Sequence, residues 1–284
     1  MNARWNLMML PPLAVSLLLL IASQYIFLRG SFFADLRLGR LGPELTLQNY
    51  WRVMSDGFYL SALWLTVRLS LVVVLVTLAI GFPTAYILAR MRSGWATTLL
   101  ALLIASSFVT IVIKVLGLVI LFSPGGALNA ALMGLGLTDQ PVSLRGTEVG
   151  VVVGLIYFTV GFFVLLLYGV IRSIPPSLEQ AAQVLGAPRW RVLWRVVVPL
   201  SLPGVIGSSL VVFNLCMGAF TSAALIGAGR IVTLPVLIQR TVMLDAKYAM
   251  GATLAVVLLL CGLLINLVSI LAIGRLKAMR RVVA

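Results

Sequence analysis

Residues 174–204 read IPPSLEQAAQVLGAPRWRVLWRVVVPLSLPG and separate two long apolar stretches of the chain. The pair Pro175–Pro176 ends the helix that precedes it. Ser177, with Gln180 three residues later, has the pattern of a capping box at the start of a new helix. Gly186 then ends this helix, as glycine does where a positive φ is needed. We therefore predict a short helix, a sharp turn and a second, amphipathic helix.

Long apolar runs dominate the rest of the chain. Of the 284 residues, 62% are hydrophobic and 10% are charged, and the mean hydropathy is +1.15. A soluble domain of this length has much more polar surface, and a helix of roughly 20 apolar residues crosses a bilayer core about 30 Å thick. We predict an all-α polytopic membrane protein with about six transmembrane helices. The predicted spans are Leu7–Leu28, Leu60–Leu88, Ala96–Phe122, Val149–Ile171, Leu202–Ile226 and Ala249–Ile273.

The charged residues between the spans indicate how the chain is oriented. When the N-terminus is placed in the cytoplasm, basic residues concentrate in the inside segments, where Glu179 is the only acidic residue. This is the distribution that the positive-inside rule describes. It predicts a multi-pass protein of the bacterial cytoplasmic (inner) membrane with both termini in the cytoplasm. The net charge of +14 is scattered in short clusters, and this argues against nucleic-acid binding.

Several classes of chemistry lack the residues that they need. The chain has no histidine, and its two cysteines lie in apolar runs, so we predict no metal site and no catalytic residue. No Gly-x₄-Gly-Lys-Ser/Thr phosphate loop occurs, so another chain must bind ATP if ATP drives this system. No acidic residue lies inside a predicted span, which argues against a proton-coupled carrier.

The loop at 174–204 resembles the EAA loop of binding-protein-dependent ABC importer permeases. The motif here is Glu179-x-Ala181-Ala182-x₃-Gly186, followed by Val197–Val198–Pro199 and Leu202–Pro203. In that family the short helix docks into a cleft of the ATP-hydrolysing subunit and transmits its closure to the membrane domain. The resemblance implies the type I ABC importer permease fold. It also implies ATPase-coupling roles for Glu179, Ala181, Ala182, Leu185 and Gly186.

The resemblance covers roughly residues 60–275 and extends to a subgroup. The stretches 125–129 and 135–137 look like the segment after the third span in permeases of the spermidine/putrescine type. Residues 220–230 are similar to that subgroup's segment after the fifth span, although Ala223 stands where the pattern usually has a proline. Since this subgroup moves several kinds of solute, a polyamine, an amino-acid-like cation and an aminophosphonate or similar zwitterion all remain open.

The resemblance also implies partners. These are two copies of a cytoplasmic ABC ATPase that hold ATP and magnesium, a second homologous permease, an extracytoplasmic solute-binding protein and membrane lipid. The chain itself is then no enzyme but the pathway-forming subunit. We assign residues 1–59 to an N-terminal span and outer loop, 60–275 to the permease domain, and 276–284 to a basic cytoplasmic tail. The alternatives are an ATPase-independent secondary carrier or channel, and a membrane-bound scaffold or enzyme.

A few polar and aromatic side chains in the predicted spans are candidates for the solute pathway. Lys114 lies in the third span, and because charge in hydrocarbon is costly it should face a cavity or a partner. The alternatives for Lys114 are snorkelling to an interface or pairing with another subunit. A buried cation suits a carboxylate or phosphonate better than a polyamine. The other candidates, for which helix–helix contact is the alternative, are Asn214, Phe220, Thr221 and Ser222.

Overall fold

The protein is almost entirely helical, as the sequence predicts. The computed structural model describes residues 3–36 and 39–282, and the side chains of residues 10–36 and 39–271. Its helices are α1 (Ala3–Gly30), α2 (Gln48–Ser55), α3 (Gly57–Arg90), α4 (Gly94–Phe108), α5 (Ile111–Leu121), α6 (Ala127–Gly134), α7 (Glu148–Ser173), α8 (Pro176–Val184), α9 (Arg189–Val192), α10 (Val198–Gly218), α11 (Phe220–Ile226), α12 (Leu234–Met243) and α13 (Tyr248–Val282). The π-helical turn Leu193–Val197 joins α9 to α10. Two short antiparallel strands, β1 (Phe33–Asp35) and β2 (Leu41–Leu45), form the only sheet in the described residues.

Within the described ranges, five helical segments are long and apolar enough to cross a membrane. They belong to α1, α3, α7, the continuous stretch from α9 to α10, and α13. The pair α4 and α5 passes the same test only when taken together, and it would bring the number of spans to six. The prediction of about six apolar spans is therefore confirmed.

Two of the predicted spans are not straight helices. The stretch Ala96–Phe122 breaks between α4 and α5, whose axes differ by 95°, because Val109 and Thr110 both take extended backbone angles. The fifth predicted span ends at Gly218, where Ala219 is also extended, and residues 220–226 form the separate helix α11. Apolar composition alone does not distinguish a straight span from a broken one, since both bury the same side chains in lipid.

The described residues divide into two compact units. The larger unit comprises Trp64–Val236 and Leu264–Ala284. Its core centres on α7, where Phe163, Leu167 and Ile171 are fully buried. α7 packs against both α4 and α10. Outward-facing leucine, isoleucine and valine side chains remain exposed along these helices, as expected for surfaces that contact lipid.

The smaller unit comprises Met1–Leu63 and Leu237–Leu263. Its β-hairpin is held to α13 by Asp35, whose two carboxylate oxygens accept hydrogen bonds from the backbone N–H groups of Ala249 and Met250, both at 2.8 Å. These groups are unpaired donors at the start of a helix, so the carboxylate acts as a cap supplied from another part of the chain. The amide nitrogen of Asn49 in α2 donates to the carbonyl of Phe33 at 2.8 Å. The polar segment that contains the hairpin and α2 is thus folded on the helices of its own unit.

Candidate functional site

The loop at 174–204 contains the predicted short helix, α8, but the helix begins two residues earlier than the capping box requires. Pro176 is its first residue, Pro175 is the N-cap, and no side chain caps the helix. Ser177 is therefore inside the first turn, and its predicted N-cap role is wrong. The physical reason is that Pro176 has the φ of a helix and lacks the N–H group that a cap would satisfy.

The C-terminal end of α8 lies where the sequence predicts it, just before Gly186. Gly186 has a φ of +83°, as predicted. The N–H of Ala187 donates to the carbonyl of Ala182 at 3.1 Å, and the N–H of Gly186 donates to that of Gln183 at 2.9 Å. This is the Schellman pattern, which satisfies the last carbonyls of a helix and reverses the chain. The turn directs the polypeptide from α8 into the helix that carries Trp190.

Glu179 anchors α8 to the end of α3. Its Oε1 accepts hydrogen bonds from Arg90 Nε at 2.7 Å and pairs with Arg90 Nη2 at 2.6 Å, while its Oε2 accepts from the Tyr86 hydroxyl at 2.9 Å. Arg90 Nη2 also donates to the carbonyl of Ile174 at 3.1 Å. Glu179 is only 7% exposed. Its carboxylate therefore points into the protein and holds the loop, instead of being presented on the outer side of α8.

The apolar side chains of α8 and of the residue after it point outward. Val184 and Leu185 are each 87% exposed, and Leu178 is 46% exposed. Ala181 is exposed and Ala182 is half-buried. We call Leu178, Val184 and Leu185 the α8 face. Exposed apolar residues at the C-terminal end of a helix that is anchored by Glu179 form a surface suited to a groove on another protein.

Lys114 lies on α5 and is largely covered, with 6% of its surface exposed. Its ammonium nitrogen is 5.4 Å from the centroid of the Tyr157 ring in α7, within the range of a cation–π contact. All seven acidic residues of the chain lie in the described part, and the two ion pairs found there do not include Lys114. Its charge is thus balanced within the described chain only by the face of an aromatic ring.

The other pathway candidates separate into two groups. Ser222 is fully buried in α11, and its hydroxyl has no hydrogen-bond partner among the described residues. Thr221 is also buried and Phe220 is 43% exposed in this helix, which packs against α5 and α7. Asn214 of α10 instead pairs with Asn266 of α13, each amide donating to the other at 3.1 and 3.0 Å. The structure thus brings α11 to the helices of Lys114 and Tyr157 and gives Asn214 a partner elsewhere.

Three side chains that hold predicted site residues are not indicated by the sequence pattern. Arg90 and Tyr86 hold Glu179, and Asn266 pairs with Asn214. Each partner is separated from the residue that it holds by 52 positions or more. A usable signal existed for one of them, because Glu179 is the only acidic residue in the stretch 174–204, which also carries three arginines, and a carboxylate that becomes buried needs a cationic partner.

Comparison with known proteins fixes the family. Residues 81–277 match the binding-protein-dependent transport system inner membrane component family. The chain belongs to this family. The permease is therefore a multi-pass component of an inner membrane, and the predicted family of binding-protein-dependent importer permeases is confirmed.

The permease is similar to the spermidine/putrescine transport system permease protein PotB of two bacteria. It is 34% identical to the protein of Escherichia coli (strain K12) over 185 residues, which is 65% of this chain and 67% of the relative. It is 27% identical to the protein of Haemophilus influenzae over 212 residues, which is 75% of this chain and 74% of the relative. The predicted spermidine/putrescine-type subgroup is confirmed by these two relatives.

The fold of the permease is also found in a solved transporter. A chain of the bacterial alginate ABC transporter, in a crystal structure with an alginate pentasaccharide-bound periplasmic protein, superposes with a TM-score of 0.78. The superposition covers 93% of this chain and 92% of that one, at 20% identity. The predicted ABC permease fold is confirmed, and at this level of identity the likeness concerns the fold alone.

Proposed function

We propose that this permease forms the solute pathway of an ATP-driven importer and is coupled to a separate ATPase through α8. The observation that supports the proposal is that one part of this helix is anchored in the protein while another part is exposed. Glu179 is anchored to Arg90 and Tyr86, whereas Val184 and Leu185 are exposed. Such a helix can bind a partner through its exposed apolar end. Because its other end is fixed to the membrane helices, a movement of the bound partner is transmitted to them.

Two connections carry such a movement into the membrane. Residues 174 and 175 join α8 directly to α7, and the Glu179–Arg90 pair joins it to α3. Arg172 also donates from Nη1 to the carbonyl of Ala89 at 3.2 Å, which ties the ends of α7 and α3 together. A displacement of α8 therefore moves two spans as one body. An alternating-access cycle needs this kind of coupling, because the partner has to stabilise one of two states of the pathway.

The proposed assembly follows from membership of the family. Two copies of a cytoplasmic ATPase, with ATP and magnesium bound to them, dock below this permease and a second homologous permease. A solute-binding protein delivers the solute from the opposite side. Both termini of this chain lie in the cytoplasm, since this places the basic loop ends inside. The coupling set of this proposal is Glu179, Ala181, Ala182, Leu185 and Gly186.

The solute is proposed to be a polyamine or a related small amine or amino-acid-like compound, because the relatives are named as spermidine/putrescine permeases. A second candidate is favoured by Lys114. Its largely covered ammonium group lacks a carboxylate partner within the described chain, and if it lines the pathway it repels a polyamine. The same group attracts an acidic moiety. An amine that also carries a carboxylate or phosphonate meets both observations.

The coupling is tested by removing the exposed apolar side chains of the α8 face. The full chain is co-expressed with the ATPase and permease genes beside its own, purified, and assayed for the amount of ATPase retained. We expect Val184→Ala with Leu185→Ala to lower retention at least tenfold. The matched control is Leu244→Ala, because Leu244 is 75% exposed but lies outside α8. Equal retention in all variants refutes docking at α8, and solute flux in vesicles that contain this chain alone favours a carrier or channel.

The solute class is tested in the same complex. ATPase activity is measured in nanodiscs with the binding protein and one of putrescine, spermidine, 4-aminobutyrate and an aminophosphonate. Stimulation by the first two supports a polyamine importer. Stimulation by the last two, weakened at least tenfold in Lys114→Met, supports the amine with an acidic group. A Lys114→Met complex that transports as well as the original removes Lys114 from the pathway.

A further inference from the structure

Three arginines lie where α3 and α7 end and α4 begins, on the side of α8. Arg90 is the last residue of α3, Arg92 lies in the connection to α4, and Arg172 is in the last turn of α7. Arg90 is neutralised by Glu179. All seven acidic residues of the protein are described, and none forms an ion pair with Arg92 or Arg172. This corner of the protein therefore carries two uncompensated positive charges.

Both arginines line a cavity. One cavity of about 330 Å³ lies between the ends of the three helices and is lined by Arg92 and Arg172 together with the hydroxyl-bearing side chains of Ser93, Thr97 and Tyr168. A neighbouring cavity of about 400 Å³ is also lined by Arg92 and Arg172, and it extends to Pro176 at the start of α8. Arg92 and Arg172 are both exposed, and side chains that carry guanidinium and hydroxyl groups around one open cavity suit a phosphate group.

An apolar groove continues from this basic cavity along the membrane face. It has a volume of about 360 Å³ and is walled by Thr84, Ile87 and Leu88 of α3 and by Leu99, Leu102 and Leu103 of α4. Leu88 lines both the groove and the basic cavity. The groove follows α4 from Leu99 to Leu103, which is about 6 Å at 1.5 Å per residue. Its outer walls are open, with Ile87 59% and Leu102 61% exposed.

We propose that this composite site binds an anionic phospholipid of the leaflet on the α8 side. The phosphate and headgroup lie between Arg92 and Arg172, and the upper part of an acyl chain lies in the groove between α3 and α4. A free phosphate leaves the groove empty, and a zwitterionic headgroup brings its own cation to the two arginines. A lipid with a net negative charge satisfies both halves of the site.

The position of the site gives the lipid a structural consequence. The basic cavity reaches Pro176, the first residue of α8, and Arg172 also holds the end of α3 through the carbonyl of Ala89. A lipid headgroup that binds both Arg92 and Arg172 stabilises the ends of α3 and α7, to which α8 is attached. This stabilisation rests on the proposed role of α8, whereas lipid binding itself does not.

Lipid retention by the full-length permease in dodecyl maltoside tests the proposal. Native mass spectrometry is used to titrate palmitoyl-oleoyl phosphatidylglycerol and phosphatidylcholine onto the protein. We expect the former to bind more tightly, and Arg92→Gln to weaken it about fivefold. Arg92 has no ion pair or hydrogen bond within the described residues, so this variant leaves the fold intact. Leu99→Trp, which fills the groove, should also weaken binding. Arg191→Gln is the control, because Arg191 is exposed on α9 away from both cavities.

Several results overturn the proposal. Phosphatidylglycerol binding that is unchanged in Arg92→Gln, or lowered equally by Arg191→Gln, shows that the site is elsewhere. Displacement of the lipid by sn-glycerol 3-phosphate, with equal effect in the original protein and in Leu99→Trp, shows that the cavity takes a soluble phosphate. Loss of ATPase retention in Arg92→Gln with unchanged lipid binding shows that the two arginines belong to the protein partner. The lipid measurement needs no ATPase, so a negative result there does not bear on the proposed function, and failure of the proposed function does not bear on lipid binding.

Discussion

Replacing Glu179 by alanine tests whether this residue acts by anchoring α8. The substitution removes the contacts to Arg90 at 2.6 and 2.7 Å and to the Tyr86 hydroxyl at 2.9 Å. The side chains of Arg90 and Glu179 are 17% and 9% exposed. Breaking a buried ion pair from one side costs about 3–5 kcal/mol. Because Arg90 keeps some contact with water, we take the lower end, about 3 kcal/mol.

The substitution weakens the attachment of α8 to α3 by this free energy and leaves the membrane spans in place. Since about 1.4 kcal/mol corresponds to a factor of ten, the population of molecules in which α8 is detached from α3 should rise by about a hundredfold. Hydrogen–deuterium exchange of the purified permease measures this directly. The backbone amides of residues 178–187 should lose about a hundredfold of their protection, while those of α7 should be unchanged. Solute uptake by the complex should fall with the protection.

Two variants serve as comparisons for Glu179→Ala. Tyr86→Phe removes a single part-buried hydrogen bond to a charged acceptor and should lower the free energy that protects the α8 amides by about 1.5 kcal/mol, the lower end for such a bond. Glu148→Ala removes the partner of Arg68, but both of those side chains are 46% exposed, so the cost should stay below about 1 kcal/mol. Uptake that is lost in Glu179→Ala while the protection of residues 178–187 is unchanged contradicts the anchoring argument. It would mean that the carboxylate acts by direct contact with the partner.

Three further tests probe local features. Gly186→Ala should destabilise the turn after α8 by about 1 kcal/mol. The cause is the φ of +83°, since no atom lies within 4 Å of the new Cβ. An unchanged hydrogen–deuterium exchange rate of the last amides of α8 contradicts this. Gly154→Ala should lower the melting temperature in detergent, because the added Cβ would meet Ile226 Cδ1 at 2.6 Å, and overpacking costs about 1–3 kcal/mol; an unchanged melting temperature contradicts the close packing. A double-mutant cycle of Asn214→Ala and Asn266→Ala should give a coupling energy near 0.6 kcal/mol, and additive melting temperatures contradict the amide pair.

The sequence by itself determined the features that depend on composition and on neighbouring residues. Apolar runs of sufficient length specify membrane helices because lipid requires every backbone polar group to be satisfied within its own segment. The turn after α8 is also local, since glycine adopts a positive φ without a steric cost and Gly186 has one of +83°. The motif at 179–186 indicates the family without any tertiary information.

Only the tertiary structure decided where side chains from distant parts of the chain meet. Glu179 reads as a surface carboxylate in a short helix, yet it is buried against Arg90, which lies 89 positions earlier. Residues 96–122 are apolar throughout the region that bends by 95°. Local sequence gives no direction in space to a membrane helix that is apolar on every side. The partners of Glu179, Asn214 and Lys114 are therefore fixed by how the helices pack, through burial and pairing of charges that no local pattern encodes.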